Sequence, residues 1–74
     1  MLEKIIEIIA SKTKLPLSAI TADTNLLDLD IDSLDIINIV MEVEYCFNVK
    51  FDDDEIVELR TPTDIEQIVK KKYS

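Results

Sequence analysis

The stretch DLDIDSLDII, from Asp28 to Ile37, places the single hydroxyl of Ser33 among alternating carboxylates and aliphatic side chains. A serine can serve as a nucleophile when a histidine accepts its proton, or it can be esterified by phosphate. The chain contains no histidine, one cysteine and no glycine, so neither a serine–histidine pair nor the usual zinc site or glycine-rich phosphate loop can be assembled. Ser33 is therefore either a site of phosphate attachment or simply a residue that begins a helix.

The residues around Ser33 predict the start of a helix that runs to Phe47. Asp32 can act as the N-cap, and Asp35, three residues later, can complete an acidic variant of the capping box. The unpaired N–H groups and the positive dipole at a helix start favour a phosphate there. The negative charges of Asp32 and Asp35 oppose it.

This second helix has two apolar faces. At about 100° per residue, one stripe lies within roughly 60° of Ile36 and comprises Ile39, Val40, Val43 and Phe47, as expected for a core-facing side. A second stripe lies opposite and comprises Leu34, Ile37, Met41 and Tyr45. Its polar border consists of Asp35, Asn38, Glu42 and Glu44. Because so small a bundle cannot bury both sides, the second stripe predicts a contact surface for a partner protein or for another copy of the chain.

The remaining elements are also predicted to be helical, which gives an all-α bundle of three main helices and one short one. Apolar spacing predicts a first helix at about Leu2 to Thr13, before Pro16, and then a long structured loop to Ile31. Acids at the start of DDDEIVEL predict the short helix. The last helix is predicted from TPTD, with Thr61 as N-cap, Pro62 in the first turn and Asp64 at the third position. Its closing lysines, Lys70, Lys71 and Lys72, match the negative end of its dipole.

Length and charge limit the function further. The 74 residues are expected to form one domain, 1–74, with a formal charge of −8. Between Leu15 and Leu59, twelve acidic residues stand against Lys50 alone. This field repels nucleic acid and anionic membranes and attracts basic protein surfaces. Cys46, the only cysteine, is expected to be a buried helix residue. The Ile-rich start of the chain is short and charged and does not resemble a signal peptide. We therefore expect a cytoplasmic protein that does not insert into membranes, and we expect it to be a monomer.

Together, DSLD, IINIVMEVEYCF, FDDDEI and RTPTDIEQIV resemble the acyl carrier proteins over nearly the whole chain. The resemblance implies an acyl-carrier-like four-helix fold, no catalytic activity, and a 4′-phosphopantetheine arm on Ser33, with Asp32 and Leu34 beside it. A phosphopantetheinyl transferase would attach the arm from coenzyme A. Its terminal thiol would then hold acyl groups as thioesters.

The resemblance also implies partners: acyl-transferring, condensing and modifying enzymes with basic surfaces, in fatty-acid, polyketide or related lipid biosynthesis. Leu34, Asp35, Met41 and Glu44 match positions that contact such enzymes. The sequence departs from the family in three places. Asp30 stands where a glycine is common, while Asn38 and Tyr45 replace residues that are often acidic in fatty-acid carriers. A dedicated carrier of a polyketide, nonribosomal peptide or specialised lipid pathway is therefore an alternative.

Two other readings compete with a carrier. Asp28, Asp30 and Asp32 match the opening of a calcium loop, but Ser33 and Ile39 occupy positions that need glycine and a bidentate acid. An acidic helical adaptor would bind a basic partner without a prosthetic group and leave Ser33 unmodified. For a carrier, the aliphatic interior adds one expectation: it could open between helices to shelter an acyl chain.

Overall fold

The computed structural model describes residues 1–29 and 31–73, in which the chain forms four α-helices and no strand. The helices are α1 (Leu2–Thr13), α2 (Ser33–Phe47), α3 (Asp53–Val57) and α4 (Pro62–Tyr73). Three long helices and one of five residues confirm the predicted architecture. α1 packs against both α2 and α4, and the core lies between these three helices.

The amphipathic pattern of α1 explains its burial. Ile5, Ile8 and Ile9 are buried on one side, and charged residues occupy the other. The helix ends at Lys14, which adopts a left-handed conformation with φ of 60° and donates its N–H to the carbonyl of Ala10. Such an end satisfies carbonyls that would otherwise lack a partner, and it turns the chain toward Pro16.

Residues 14–29 of the long loop are held by their own apolar side chains and by hydrogen bonds to residues at the start of α4. The loop contains 3-10 turns at Leu17–Ala19 and Leu26–Leu29. Ile20 and Leu26 are buried, whereas Leu17 and Leu27 remain 55% and 65% exposed. The Thr63 N–H donates to the Ala22 carbonyl at 3.2 Å, which fixes the loop against α4.

The core stripe of α2 is confirmed. Ile39, Val40 and Val43 are buried, and Ile36 and Phe47 pack partly buried against them. Cys46, in contrast, is exposed, so the prediction that it is buried is wrong. It lies about 80° from Ile36 around the helix, outside the core stripe, which extends to roughly 60° from Ile36.

The side chain of Cys46 is nevertheless not free of contacts. Its Sγ lies 3.5 Å from a carboxylate oxygen of Glu42, to which it donates a hydrogen bond. Partial desolvation raises the pKa of the Cys46 thiol, and the hydrogen bond to Glu42 raises it further. The thiol is thus held in its protonated form.

The two later helices begin as their sequences predict. In α3, the Asp52 N–H donates to the Glu55 carboxylate at 2.8 Å, as part of a reciprocal capping box. In α4, the Asp64 N–H donates to the Thr61 hydroxyl, and the Asp64 carboxylate accepts from the Thr61 N–H. None of the described helices has the length and apolarity needed to cross a bilayer.

Candidate functional site

The first turn of α2 is held by the predicted capping box. Asp32 is extended, with φ of −98° and ψ of 178°, and its carboxylate accepts the Asp35 N–H at 3.1 Å. The Asp35 carboxylate in turn accepts the Asp32 N–H at 3.4 Å. Both acids that flank Ser33 are therefore engaged in holding the helix start, and they fix Ser33 as the first helical residue.

Ser33 presents its side chain to solvent at this helix start. The N–H groups of Ser33 and Leu34 precede the first intrahelical hydrogen bond and point away from the helix body. Together with the positive end of the helix dipole, they favour an anionic group on the neighbouring hydroxyl. The position is thus sterically open to a large substituent and, apart from the two flanking carboxylates, suited to a phosphate ester.

An apolar groove of about 420 Å³ lies between the start of α2 and α3, and Ser33 is one of the residues that line it. Asp32, Ser33 and Arg60 supply its polar lining. Its apolar lining consists of Leu27, Ile31, Ile36, Ile37, Ile56, Val57 and Leu59. An open, mostly apolar groove next to an exposed hydroxyl fits a substituent that has a charged attachment point and a long, largely uncharged continuation.

Most of these groove residues have no functional assignment from the sequence. The aliphatic composition indicated a deformable interior, but it did not locate an opening. Ile56 and Val57 belong to α3, and Arg60 follows it, so the groove exists only because the chain returns past the start of α2. Such an arrangement leaves no periodic signal in the sequence.

The second stripe of α2 is exposed, as predicted. Leu34 and Met41 are 64% and 60% exposed, Ile37 is 45% exposed, and Tyr45 is 85% exposed. Tyr45 and Met41 also border a shallow depression shared with Lys12, Asn38 and Glu42. A continuous apolar strip on one helix of a small domain is typical of a surface that contacts other proteins.

Two acids on the border of this stripe also have structural partners. The Glu42 carboxylate lies 3.3 Å from the Lys12 ammonium, and hydrogen bonds from Lys12 and then Cys46 lower the pKa of Glu42. The Glu44 carboxylate accepts the Phe51 N–H at 2.8 Å and so links α2 to the segment before α3. The sequence did not reveal the contacts with Lys12 and Phe51, since both of these residues lie outside α2.

Two of the three acids in the calcium-like pattern, Asp28 and Asp32, lie among the described residues. Asp30, its middle acid and the place where carriers commonly have glycine, lies outside the described residues. Over 1–29 and 31–73, no three histidine, cysteine or acidic side chains form a group that could hold a metal ion. Asp32, the last acid of the pattern, is used as the cap of α2.

Comparison with known proteins gives one consistent result. The family model described as the phosphopantetheine attachment site matches residues 3–69. An acyl carrier protein of Rickettsia canadensis is 34% identical over 73 residues, covering 97% of this chain and 85% of its own length. That of Rickettsia typhi is 32% identical over the same 73 residues, with the same coverage.

A solved structure agrees with the sequence relatives. The crystal structure of an acyl carrier protein from Thermotoga maritima matches with a TM-score of 0.79 and 33% identity, covering 95% of this chain and 82% of that one. Proteins of this kind are carriers rather than catalysts, and their prosthetic group is a covalently attached 4′-phosphopantetheine. The family model and the relatives, which match nearly the whole of this chain, show that it belongs to the phosphopantetheine-binding family of acyl carrier proteins.

Proposed function

We propose that Ser33 is the residue that carries the 4′-phosphopantetheine arm, and that the chain presents acyl thioesters to enzymes of fatty-acid, polyketide or related lipid biosynthesis. The observation that supports this most directly is that Ser33 is exposed at the first turn of α2 and lines an apolar groove. When bound, the arm supplies a terminal thiol that holds an acyl group as a thioester.

In its own modification, the chain positions the Ser33 hydroxyl, and the transferase supplies the catalytic groups. The Ser33 oxygen forms a bond to phosphorus of coenzyme A, adenosine 3′,5′-bisphosphate leaves, and the hydroxyl proton passes to the transferase. Asp32 and Asp35 already accept backbone N–H groups, so they hold the helix start while the transferase supplies the base. Leu34, 64% exposed beside Ser33, offers the transferase an apolar contact.

We further propose that the second stripe and its polar border receive the transferase and the acyl-processing enzymes. The border comprises Asp35, Asn38, Glu42 and Glu44. The net charge of −8 favours partners with basic surfaces. Asn38 and Tyr45 make this surface more apolar than an acidic border would be, which supports a dedicated pathway as the alternative to general fatty-acid synthesis.

Monomeric state and cytoplasmic location remain predictions. The acidic surface favours separate copies through mutual repulsion, whereas the exposed second stripe would permit pairing. Sedimentation of the purified chain at several concentrations distinguishes these outcomes. A constant mass of one chain supports a monomer, and a rise toward twice that mass supports a dimer through α2.

The attachment is tested by intact mass after incubation with coenzyme A and a broad-specificity phosphopantetheinyl transferase. We expect the wild-type chain to gain one phosphopantetheine unit and Ser33→Ala to gain none. Ser18→Ala, which removes an exposed serine from a 3-10 turn, is the matched control and should gain the unit. If no competent transferase modifies the wild-type chain, an acidic adaptor without a prosthetic group becomes the better account.

The partner surface is tested by the rate of the same loading reaction. Met41→Ala removes an apolar contact from the second stripe, and Leu17→Ala removes a similarly exposed side chain (60% and 55%) elsewhere. A contact worth ~1 kcal/mol corresponds to a loss of about fivefold in kcat/KM. We expect this loss for Met41→Ala and none for Leu17→Ala. Equal rates in the two variants would contradict the assignment.

A further inference from the structure

Attachment of a phosphodiester at Ser33 would add a negative charge where the chain is already acidic. Asp32 directly precedes Ser33 and lines the same groove. Asp35, the other acid of the capping box, lies in the same first turn of α2. The unpaired N–H groups of the helix start offset only part of this repulsion, because the dipole corresponds to roughly half a charge. A fixed cation near the mouth of the groove would therefore have a clear electrostatic role.

Arg60 is the only cation among the described residues that line this groove. Its backbone is fixed on both sides: its N–H donates to the Asp64 carboxylate at 3.1 Å, and its carbonyl accepts the Leu26 N–H at 2.7 Å. The residue is exposed, and its guanidinium enters no ion pair within 1–29 and 31–73. Arg60 thus has an anchored backbone, lines the same groove as Ser33, and carries a charge that forms no ion pair with the residues that the structure describes.

We infer that Arg60 is a positioning residue that pairs with the phosphodiester on Ser33 and holds it at the mouth of the groove; this rests on the proposed function. A guanidinium has a planar fork of N–H donors that matches the two free oxygens of a phosphodiester. Asp32 is the competing anion, but one of its oxygens already accepts the Asp35 N–H. Loading Ser33 therefore gives Arg60 a fully available anionic partner.

The test compares loaded proteins by ³¹P NMR, which reports on the phosphodiester itself rather than on any activity. The variants are Arg60→Gln, which removes the charge, and Arg60→Lys, which keeps it without the fork. Lys50→Gln removes an equivalent exposed cation from the acidic part of the chain and does not line the groove. We expect Arg60→Gln to move the ³¹P resonance well beyond the spread between wild type and Lys50→Gln, and Arg60→Lys to restore part of the difference.

A second measurement needs no variant. In the wild-type chain, the Nε–Hε resonance of Arg60 should shift when the apo protein is converted to the loaded form, and added salt should reduce that shift by screening the pair. The inference would be overturned if the ³¹P resonance were unchanged in Arg60→Gln, or if the Arg60 Nε–Hε resonance did not shift on loading. Intact mass is measured before the NMR experiments. If Ser33 gains no arm, the proposed function fails, and that outcome is separate from a failure of the role inferred for Arg60.

Discussion

The Lys72 ammonium lies 2.9 Å from a carboxylate oxygen of Glu55, an ion pair that joins the last turn of α4 to the short helix α3. The same ammonium lies 5.8 Å from the centroid of the buried Phe51 ring. α3 contributes no fully buried residue of its own, although Ile56 packs partly buried against the core. The position of α3, and hence one wall of the groove, therefore depends on few contacts.

Removing this ion pair should loosen α3 selectively. In Lys72→Met, we expect amide hydrogen exchange to accelerate over Asp53–Val57, because a short helix with few buried contacts opens locally before the rest of the domain. Exchange in α1 and in the middle of α2 should change little. The matched control is Lys70→Met, which removes a 3.7 Å pair with Glu66 inside α4. Equal protection of α3 in the two variants would contradict the role of Lys72.

Glu55 should also make folding sensitive to acid. The Asp52 N–H, and then the Lys72 ammonium, lower the pKa of Glu55 below its ordinary value of 4.5. Since the ionised form is favoured in the folded state, its stabilising contribution is complete above the unfolded pKa and is lost as pH falls through the folded pKa.

The measurement is the free energy of unfolding in urea from about pH 6 to about pH 3. In Glu55→Gln, the free energy of unfolding should depend less on pH than in the wild type at pH values below the ordinary glutamate pKa. The control variant, Glu58→Gln, removes an exposed carboxylate just after α3 and should leave the slope as in the wild type. A wild-type slope retained in Glu55→Gln would show that the contribution of Glu55 is wrongly assigned.

The two sides of α2 should respond differently to the same substitution. Ile39 is 1% exposed and faces the core, whereas Ile37 is 45% exposed on the second stripe. Ile39→Ala should reduce the free energy of unfolding by about 2–5 kcal/mol, because it removes buried methyl groups and leaves a cavity. Ile37→Ala should cost less than about 1 kcal/mol, since much of its side chain is already in water. Similar losses in urea unfolding would mean that the faces are incorrectly assigned.

An attached acyl chain should enter the groove between α2 and α3. Burial of each CH₂ is favourable by about 0.8 kcal/mol, and the groove lining is predominantly aliphatic. Methyl resonances of Ile36, Ile56 and Leu59 should therefore shift when the loaded protein is acylated, and more so for longer chains. Shifts restricted to exposed residues such as Met41 and Tyr45 would contradict sheltering.

The helices could be predicted from sequence because their signals are local. Asp32 with Asp35, and Thr61 with Asp64, form the reciprocal caps that their spacing indicates. The exposed second stripe followed from the helical period alone. The burial predicted for Cys46 was wrong, because this residue lies about 80° from Ile36 and so outside the core stripe.

The groove and its polar contacts could not be derived in this way. Arg60 lines the same groove as Ser33, and its backbone is held by hydrogen bonds with Leu26, in the long loop, and with Asp64 in α4. Glu44 reaches the Phe51 N–H across the end of α2. These pairs connect residues from different elements, so their proximity is a result of tertiary packing and has no signature in spacing or composition.

The hydroxyl oxygen of Ser33 is the proposed attachment atom, and fragmentation of the loaded chain can locate the added mass on a single residue. After transferase treatment, the loaded chain is digested and the peptides are fragmented by tandem mass spectrometry. We expect the phosphopantetheine unit on the peptide that contains Ser33, and we expect its release from that residue alone. Recovery of the unit on Ser11, Ser18 or any other residue, with Ser33 unmodified, would contradict the assignment of Ser33.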